Sequence, residues 1–443
     1  THNKPRDRRA LTHPSKTIPR EERMGFQLGK AIFGKLWVPA PSSTRASDGL
    51  GPHYSGRSCE HCHKNNGRGH APINSMSQPT SMFLKLSVPP QTVKQKAQLA
   101  KSEIGVIPSP NYGTQLQQFA IAGLAAEGRF KTQYTTITIT LAGGETVELQ
   151  KPNYTLYDLA YGQPDPQLMI SPRIAQPIIG MGLLDRVNEN DILRAQDPDD
   201  IDNNGISGRA NRVWSPITQK TALGRFGWKA TAATLRTQNN SALHSDIGIS
   251  NPDFVNPLGD CTPQQTSCAK MPHDTGIAAH HHNNQFEATE EVVKVLLNYT
   301  ANLAVPARPN AHAADILAGK EAFYTAGCQQ CHRPSLPLKN DASGETEHIW
   351  PYSDLLLHDM GEGLADNRPE FAASGREWRT QPLWGIGTTA TVNKHYGYLH
   401  DGRARSLMEA ILWHGGEAEA SKQHIIAMPK AQRDNLIKFL ESL

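Results

Sequence analysis

Two copies of one short cysteine motif are the residues in this sequence whose types and spacing indicate chemistry most directly. Residues 59–63 read CEHCH and residues 328–332 read CQQCH. This C-x-x-C-H spacing is the attachment signature of c-type haem, in which two thiols add to the haem vinyl groups and the adjacent histidine becomes the proximal iron ligand. The attachment residues are then Cys59, Cys62, Cys328 and Cys331, and the proximal ligands are His63 and His332.

Other functions of a C-x-x-C pair are a zinc site and a redox-active dithiol. Neither function requires a histidine directly after both pairs, so two covalently attached haem groups are the better interpretation. Covalent haem attachment implies assembly outside the cytoplasm, and the remaining cysteines, Cys261 and Cys268, then indicate a short-loop disulfide in an oxidising compartment. We therefore expect a bacterial periplasmic protein whose signal peptide has been removed.

Composition excludes several other classes of protein. The 443 residues indicate two or three domains, and 37% apolar with 20% charged residues exclude a disordered chain. A net charge of +3 provides no basic surface for nucleic acid. The mean hydropathy is -0.52 and no run of 18 apolar residues occurs, so we expect no transmembrane segment.

The elements that must position the motifs are mainly helices. Apolar periodicity predicts helices over residues 23–37, 287–303, 314–324, 407–413 and 430–443. One helix thus precedes each haem motif, as in cytochromes c, although the motifs lie too far apart for one cytochrome fold. Alternation around Gly143 and Gly144 predicts a β-hairpin near residues 135–149.

These elements predict a mainly α fold with a small β-hairpin or sheet insertion, two cytochrome c-like haem domains and long irregular loops. The N-terminal haem domain covers residues 1–309 with a large insertion, and the C-terminal haem domain covers residues 310–443. The boundary follows the proline-containing linker at residues 304–309.

Two polar segments are candidate metal sites. Asp200, Asp202 and Asn204 place oxygen atoms at alternate positions before Gly205, as in a calcium loop near residues 197–211, although position twelve is Asn211 instead of glutamate. An Asx-rich turn is the alternative. The second segment, His280 to His282 followed by two asparagines, is interpreted as a solvated loop.

With two such motifs this far apart, the sequence resembles the di-haem cytochrome c peroxidase superfamily. It is more similar to the peroxidase-like or thiol-oxidoreductase-like di-haem oxidoreductases. The matching stretches are residues 171–177 (SPRIAQP), 182–184 (GLL), 197–208 (DPDDIDNNGISG), 224–230 (GRFGWKA), 355–361 (LLLHDMG), 379–384 (RTQPLW) and 398–403 (YLHDGR). The resemblance implies a C-terminal haem that transfers electrons and an N-terminal haem that reacts with peroxide or a related oxidant.

The resemblance also implies a distal ligand for the C-terminal haem. In the peroxidase relatives this ligand, often methionine, lies fourteen residues after the histidine of the HDG motif, a position that counts from His400 to His414. His358 and Met360 are the competing candidates, and a surface histidine after a helix is the alternative role for His414. A second imidazole would lower the haem potential relative to a thioether.

For the N-terminal haem, the relatives place a displaceable histidine where this sequence has Pro79, so we expect an open iron. His70, Met76 and Met82 are nearby, but loop or packing roles suit them better. The relatives also line this pocket with a glutamine and an acid-base glutamate ten residues apart. Gln117 and Glu127 reproduce that spacing, with an ordinary surface charge as the alternative for Glu127.

The tryptophan that relatives carry between the haems corresponds to Ile107 here. Tyr112 and Trp228 are the nearest aromatic candidates for a relay, with core packing as the alternative role for both. Candidates for pairing with haem propionates are the cations Arg379, Arg403 and Arg405.

The sequence thus predicts a periplasmic di-haem oxidoreductase. Its expected partners are a small oxidant such as hydrogen peroxide and a small redox protein of the cytochrome c or cupredoxin type. The alternative is a non-catalytic electron-transfer cytochrome in which both irons are six-coordinate.

Overall fold

The computed structural model describes residues 1–44, 47–72, 74, 80–271, 286–339 and 345–443. The α-helices of these residues are α1 (Glu22–Gly34), α2 (Cys59–Cys62), α3 (Val93–Ala100), α4 (Met181–Asp185), α5 (Glu189–Leu193), α6 (Leu235–Ala242), α7 (Glu290–Ala301), α8 (Ala314–Thr325), α9 (Thr389–Asn393), α10 (Leu407–Leu412), α11 (Glu419–Ala427) and α12 (Lys430–Ser442). None of the described helices combines the length and hydropathy needed to span a bilayer.

Strands are as numerous as helices in the described part of the chain. They are β1 (His53–Tyr54), β2 (Met82–Ser87), β3 (Phe119–Ala120), β4 (Arg129–Thr140), β5 (Thr146–Tyr157), β6 (Met169–Ile174), β7 (Arg212–Ser215), β8 (Lys220–Leu223), β9 (Leu336–Lys339), β10 (Thr346–Ile349), β11 (Leu357–Asp359) and β12 (Glu377–Arg379). They form six two-stranded antiparallel sheets, in the pairs β1–β3, β2–β6, β4–β5, β7–β8, β9–β10 and β11–β12.

The prediction of a mainly α, cytochrome c-like fold with one small sheet insertion is therefore wrong. Six small sheets accompany twelve helices in the described residues, and many of the helices are only four to six residues long. Most of the strands have two to six residues, too few for alternation of apolar residues to be recognised in the sequence.

The helix before each motif was predicted correctly, and each packs against a second helix through a glycine. Gly29 of α1 lies against α7, where a Cβ atom would overlap the carbonyl oxygen of Val295. Gly319 of α8 lies against α12 in the same way, at the carbonyl oxygen of Asn435. The absence of a side chain at both glycines lets the helix backbones approach closely.

The predicted hairpin is a ribbon of two twelve-residue strands, β4 and β5, that packs on the C-terminal part of the chain. Leu141 and Leu149 belong to the same apolar cluster as Leu436 of α12. The amide of Ala142 donates to the carbonyl oxygen of Ile426 at 2.8 Å. The ribbon therefore ties the middle of the sequence to the last helices.

Two large apolar cores hold the structure together. One contains Phe26, Phe33, Leu296 and Tyr299 around α1 and α7, together with C-terminal residues such as Trp384. The other contains the β2 side chains, the ribbon and the helices α8 and α10 to α12. Both cores draw on residues from either side of position 309, and the domain boundary placed there remains a prediction.

Candidate functional site

The N-terminal motif lies in the wall of a cavity of about 500 Å³. The cysteines Cys59 and Cys62 begin and end the single helical turn α2, and His63 follows directly. The Nδ1 atom of His63 lies 2.6 Å from the carbonyl oxygen of Gln176, a contact in which Nδ1 donates its proton. That hydrogen bond leaves Nε2 as a free acceptor, as a proximal iron ligand requires.

The C-terminal motif has the same arrangement in a second cavity of about 200 Å³. His332 Nδ1 lies 3.0 Å from the carbonyl oxygen of Tyr352, which again leaves Nε2 free. His414 lines the same cavity, and its Nδ1 lies 2.7 Å from the carbonyl oxygen of Ala410. Burial lowers the pKa of His332 to about 4, so its ring is neutral. The structure thus brings together the two predicted ligands of the C-terminal haem.

The environment of the thiols does not favour a redox-active dithiol. Burial raises the pKa of all four motif cysteines, whereas reactive C-x-x-C pairs depend on a lowered thiol pKa. Among the described residues, neither motif belongs to a group of three or more potential metal-binding side chains. A zinc site at either motif is therefore not supported.

His358, the competing distal candidate, is fully engaged by carboxylates. Its Nε2 lies 2.9 Å from Asp354 and its Nδ1 lies 2.6 Å from Glu417. Burial acts to lower the pKa of His358, but the two carboxylates raise that pKa well above its usual value. With both ring nitrogens occupied, His358 has no lone pair for iron, while Met360 also lines the cavity.

Trp228 and Arg379 line both cavities, so they form the wall between them. The Nε1 atom of Trp228 donates to the carbonyl oxygen of Ile174 at 2.9 Å, which fixes the ring plane. Arg379 donates from Nε to the carbonyl oxygen of Gly227 and from Nη2 to Gln381. The sequence could name both residues, but their position between the cavities depends on tertiary packing.

Buried guanidinium atoms without partners suit the acidic propionates of haem. Arg379 Nη1 and Arg68 Nε are buried and have no hydrogen-bond partner in the described residues. Burial lowers the pKa of Arg68 to about 10 and that of Arg379 to about 9. Arg403 instead pairs with Asp401 at 2.8 Å, and Arg405 pairs with Glu409. Neither of these two arginines lines either haem-motif cavity.

Gln117 and Glu127 lie together but outside the lining of the N-terminal cavity. One carboxylate oxygen of Glu127 accepts a hydrogen bond from the backbone N–H of Gln117 at 2.7 Å, and the other accepts one from the side-chain Nε2 of Gln265 at 2.5 Å. Glu127 is fully buried, which raises its pKa well above the usual value. It is therefore not a surface charge, and its assignment as the acid-base group remains a prediction.

The candidates for a sixth ligand near the N-terminal haem lie in different places. Met82 is a core residue, and His70 packs its ring against His395 with centroids 4.4 Å apart. Met76 and Pro79 lie outside the described residues. Within the described lining, His63 is the only histidine and Met181 is the only methionine. Met181 gave no signal in the sequence because it lies far from both haem motifs.

The candidate calcium loop brings three carboxylates together. Ligand atoms of Asp197, Asp200 and Asp202 all lie within 4.8 Å of one another. The loop is also closed by its own bonds, since Asp200 accepts from the amide of Gly205 and Asp202 accepts from Asn204 Nδ2. Asp197 was not among the predicted ligands, and both the calcium loop and the Asx-rich turn remain compatible with this geometry.

Two other sequence features have simpler outcomes. Cys261 and Cys268 lie at bonding distance, with Cα atoms 6.3 Å apart, while His280 to His282 fall outside the described residues. Tyr112 is buried and donates to the carbonyl oxygen of Gly162, away from both cavities.

Comparison with known proteins gives one informative match. No curated protein matches the sequence. A solved structure of Kuenenia stuttgartiensis hydrazine synthase, pressurized with xenon, is 17% identical and has a TM-score of 0.26. The match covers 43% of this chain and 65% of that one, a likeness too low to inform fold or function. The family described as "Di-haem oxidoreductase, putative peroxidase" matches residues 1–443, and the chain therefore belongs to this di-haem family.

Proposed function

We propose that this chain is an exported, peroxidase-like di-haem oxidoreductase with a different role for each haem. The N-terminal cavity is the site of reaction with a small oxidant such as hydrogen peroxide, and the C-terminal haem transfers electrons. This proposal rests on the different numbers of candidate iron ligands in the two cavities. The C-terminal cavity holds His332 and His414, whereas the described lining of the larger N-terminal cavity holds His63 as its only histidine.

The residues of both cavities fit a covalently held haem. Thioether bonds to Cys59 and Cys62, and to the corresponding C-terminal pair, would anchor each ring at its edge. When bound, each haem supplies an iron that exchanges single electrons, and an open position on that iron can bind a small oxidant. His63 would hold the N-terminal iron from one side, with its orientation fixed by the carbonyl oxygen of Gln176.

Trp228 and Arg379 connect the two sites in this proposal. Because both residues line both cavities, the indole ring of Trp228 offers a short route for electrons between the haems. The hydrogen bond to Ile174 keeps this ring in place. Arg379 would neutralise a propionate at the same wall.

The cellular setting follows from the same chemistry. Thioether assembly outside the cytoplasm and the pairing of Cys261 with Cys268 support a periplasmic location. A small redox protein of the cytochrome c or cupredoxin type would exchange electrons with the C-terminal haem.

Absorption and electron paramagnetic resonance spectra of the oxidised protein test this proposal. We expect one high-spin haem and one low-spin haem, together with rapid reaction of the oxidised or half-reduced protein with hydrogen peroxide. Two low-spin haems and no reaction with peroxide would instead identify a six-coordinate electron-transfer cytochrome. In that case Met181→Leu should convert the N-terminal haem to high spin if Met181 is its sixth ligand.

A further inference from the structure

Lys85 is directed into the N-terminal cavity by the alternation of strand β2. Met82, Leu84 and Leu86 of this strand are fully buried in the core. Phe83 and Lys85 point to the opposite face and line the cavity that also contains His63. The strand therefore places one cationic side chain in the haem-binding space.

Lys85 has no partner for its charge among the described residues. The ammonium group of Lys85 makes no hydrogen bond or ion pair with these residues. It lies over the ring of Phe83, with Nζ 5.4 Å from the ring centroid. On the paired strand β6, Arg173 also lines the cavity, but it is bound to Glu370 at 3.0 Å. Arg368 shares that carboxylate at 3.0 Å.

Cations and carboxylates both lie around Lys85. Lys229 pairs with Asp366 at 2.8 Å, so the buried cluster of Lys229, Arg173, Arg368, Asp366 and Glu370 has one cation more than it has carboxylates. Asp246 and Asp260 also act on Lys85 but make no ion pair with it. The excess cation of this cluster and Lys85 are matched in number by Asp246 and Asp260, yet Lys85 forms no ion pair among the described residues.

We propose that Lys85 binds small anions in the N-terminal cavity and thereby selects anionic ligands for the N-terminal iron. This inference rests on the open site in the proposed function and adds the chemical class of ligand that the site favours. Hydroperoxide, azide and fluoride belong to this class. Among the cations that line this cavity, Arg173 is bound to Glu370 and Arg379 donates to Gln381 and to a backbone carbonyl oxygen, whereas Lys85 makes no hydrogen bond among the described residues.

Burial is consistent with this role. It lowers the pKa of Lys85, while the nearby Asp246 and Glu370 act in the opposite direction. A desolvated cation attracts an anion more strongly than a hydrated one does, since the local dielectric constant is lower than that of water.

Ligand binding to the haem-loaded protein provides the test. Azide and fluoride are titrated into the oxidised protein, and carbon monoxide, which is neutral, into the reduced protein, with binding followed by absorption. Lys85→Met should weaken azide binding by about tenfold or more, as expected for loss of a unit positive charge from the lining of the same cavity. Carbon monoxide affinity should be unchanged, and Lys85→Arg should retain azide affinity to within about threefold.

Lys294→Met is the matched control, because Lys294 is an exposed lysine on α7. It should leave all the affinities unchanged. Equal azide affinity in native protein and Lys85→Met would overturn the inference while leaving the open site intact. A shifted haem potential with unchanged azide affinity would assign Lys85 to a propionate and would also overturn it. Native protein that binds neither azide nor carbon monoxide would overturn the proposed open site as well.

Discussion

The two histidines near the C-terminal haem should respond in opposite ways to substitution. His414→Gly removes the imidazole whose free Nε2 lines the cavity, so we expect the C-terminal haem to become high-spin. The haem should stay attached, because Cys328, Cys331 and His332 remain. His358→Gln should leave the haem low-spin, since both nitrogens of His358 are already bound to carboxylates.

The effect of His358→Gln on stability follows from the buried contacts of His358. Asp354 is 1% exposed, and Glu417 lies 2.6 Å from the His358 ring, so removal of the imidazolium leaves two carboxylates without the cation that pairs with them. Breaking a buried ion pair in this way costs about 3 to 5 kcal/mol. Gln retains one donor, so we expect His358→Gln to lower the free energy of unfolding by about 3 kcal/mol. The exposed His348 provides a control, because His348→Gln should have no effect.

The pH dependence of this loss has a defined sign. Because the folded state raises the pKa of His358, its contribution is complete below the unfolded value of about 6.5 and is lost as pH rises through the folded value. The stability difference between native protein and His358→Gln should therefore narrow at alkaline pH. Urea unfolding at several pH values, with absorption spectra of both variants, measures these effects. A low-spin C-terminal haem in His414→Gly, or a high-spin one in His358→Gln, would refute the ligand assignment.

Three further predictions address the remaining sites. Calcium should raise the melting temperature of the calcium-free protein, since a bound ion stabilises the state that holds it. Asp200→Asn should abolish that increase, and no response of the native protein to calcium would favour the Asx-rich turn. Glu127→Gln should cost about 1 to 2 kcal/mol of stability through a lost hydrogen bond. If Glu127 is the acid-base residue, the variant should also react with peroxide about a hundredfold more slowly in stopped-flow mixing, whereas an unchanged rate would remove Glu127 from the mechanism. Trp228→Phe should slow electron exchange between the haems after rapid partial reduction and lower the free energy of unfolding by about 1 kcal/mol. Trp350 is exposed, so Trp350→Phe should change neither the exchange rate nor the stability. Equal exchange rates in native protein and Trp228→Phe would remove Trp228 from the route.

The parts of the site that sequence could predict are those in which chemistry depends on local spacing. The order of two cysteines and a histidine places three groups on one turn, and the structure keeps both motifs at a cavity wall. The glycine-containing helices α1 and α8 also followed from short-range periodicity. His414 came instead from a family interval, and the structure brings it to the same cavity as His332.

The fold class was mispredicted because its sheets are made by tertiary contacts. Strands β11 and β12 pair only three residues each, and β1 pairs with β3 across more than sixty positions. Such short segments adopt extended backbone where a neighbouring segment supplies hydrogen bonds, so their own residues show no alternation. Met181 escaped notice for a related reason, since it reaches its cavity from a segment without a haem motif. Arg68 follows the N-terminal motif by five residues but lines the cavity of the C-terminal one, which sequence spacing does not show.

Arg68 and Arg379, which make no ion pair among the described residues, would link the fold to its prosthetic groups. A buried cation without an anionic partner costs free energy, yet Arg68 and Arg379 remain largely protonated at neutral pH even after burial has lowered their pKa values. Propionates at these positions would supply the missing negative charge and remove that cost. Because Arg379 belongs to the wall between the cavities, a charge that stabilises a haem in one cavity would also act on a haem in the other. Folding, haem retention and the electrostatic environment of electron transfer would thus be coupled through the same side chain.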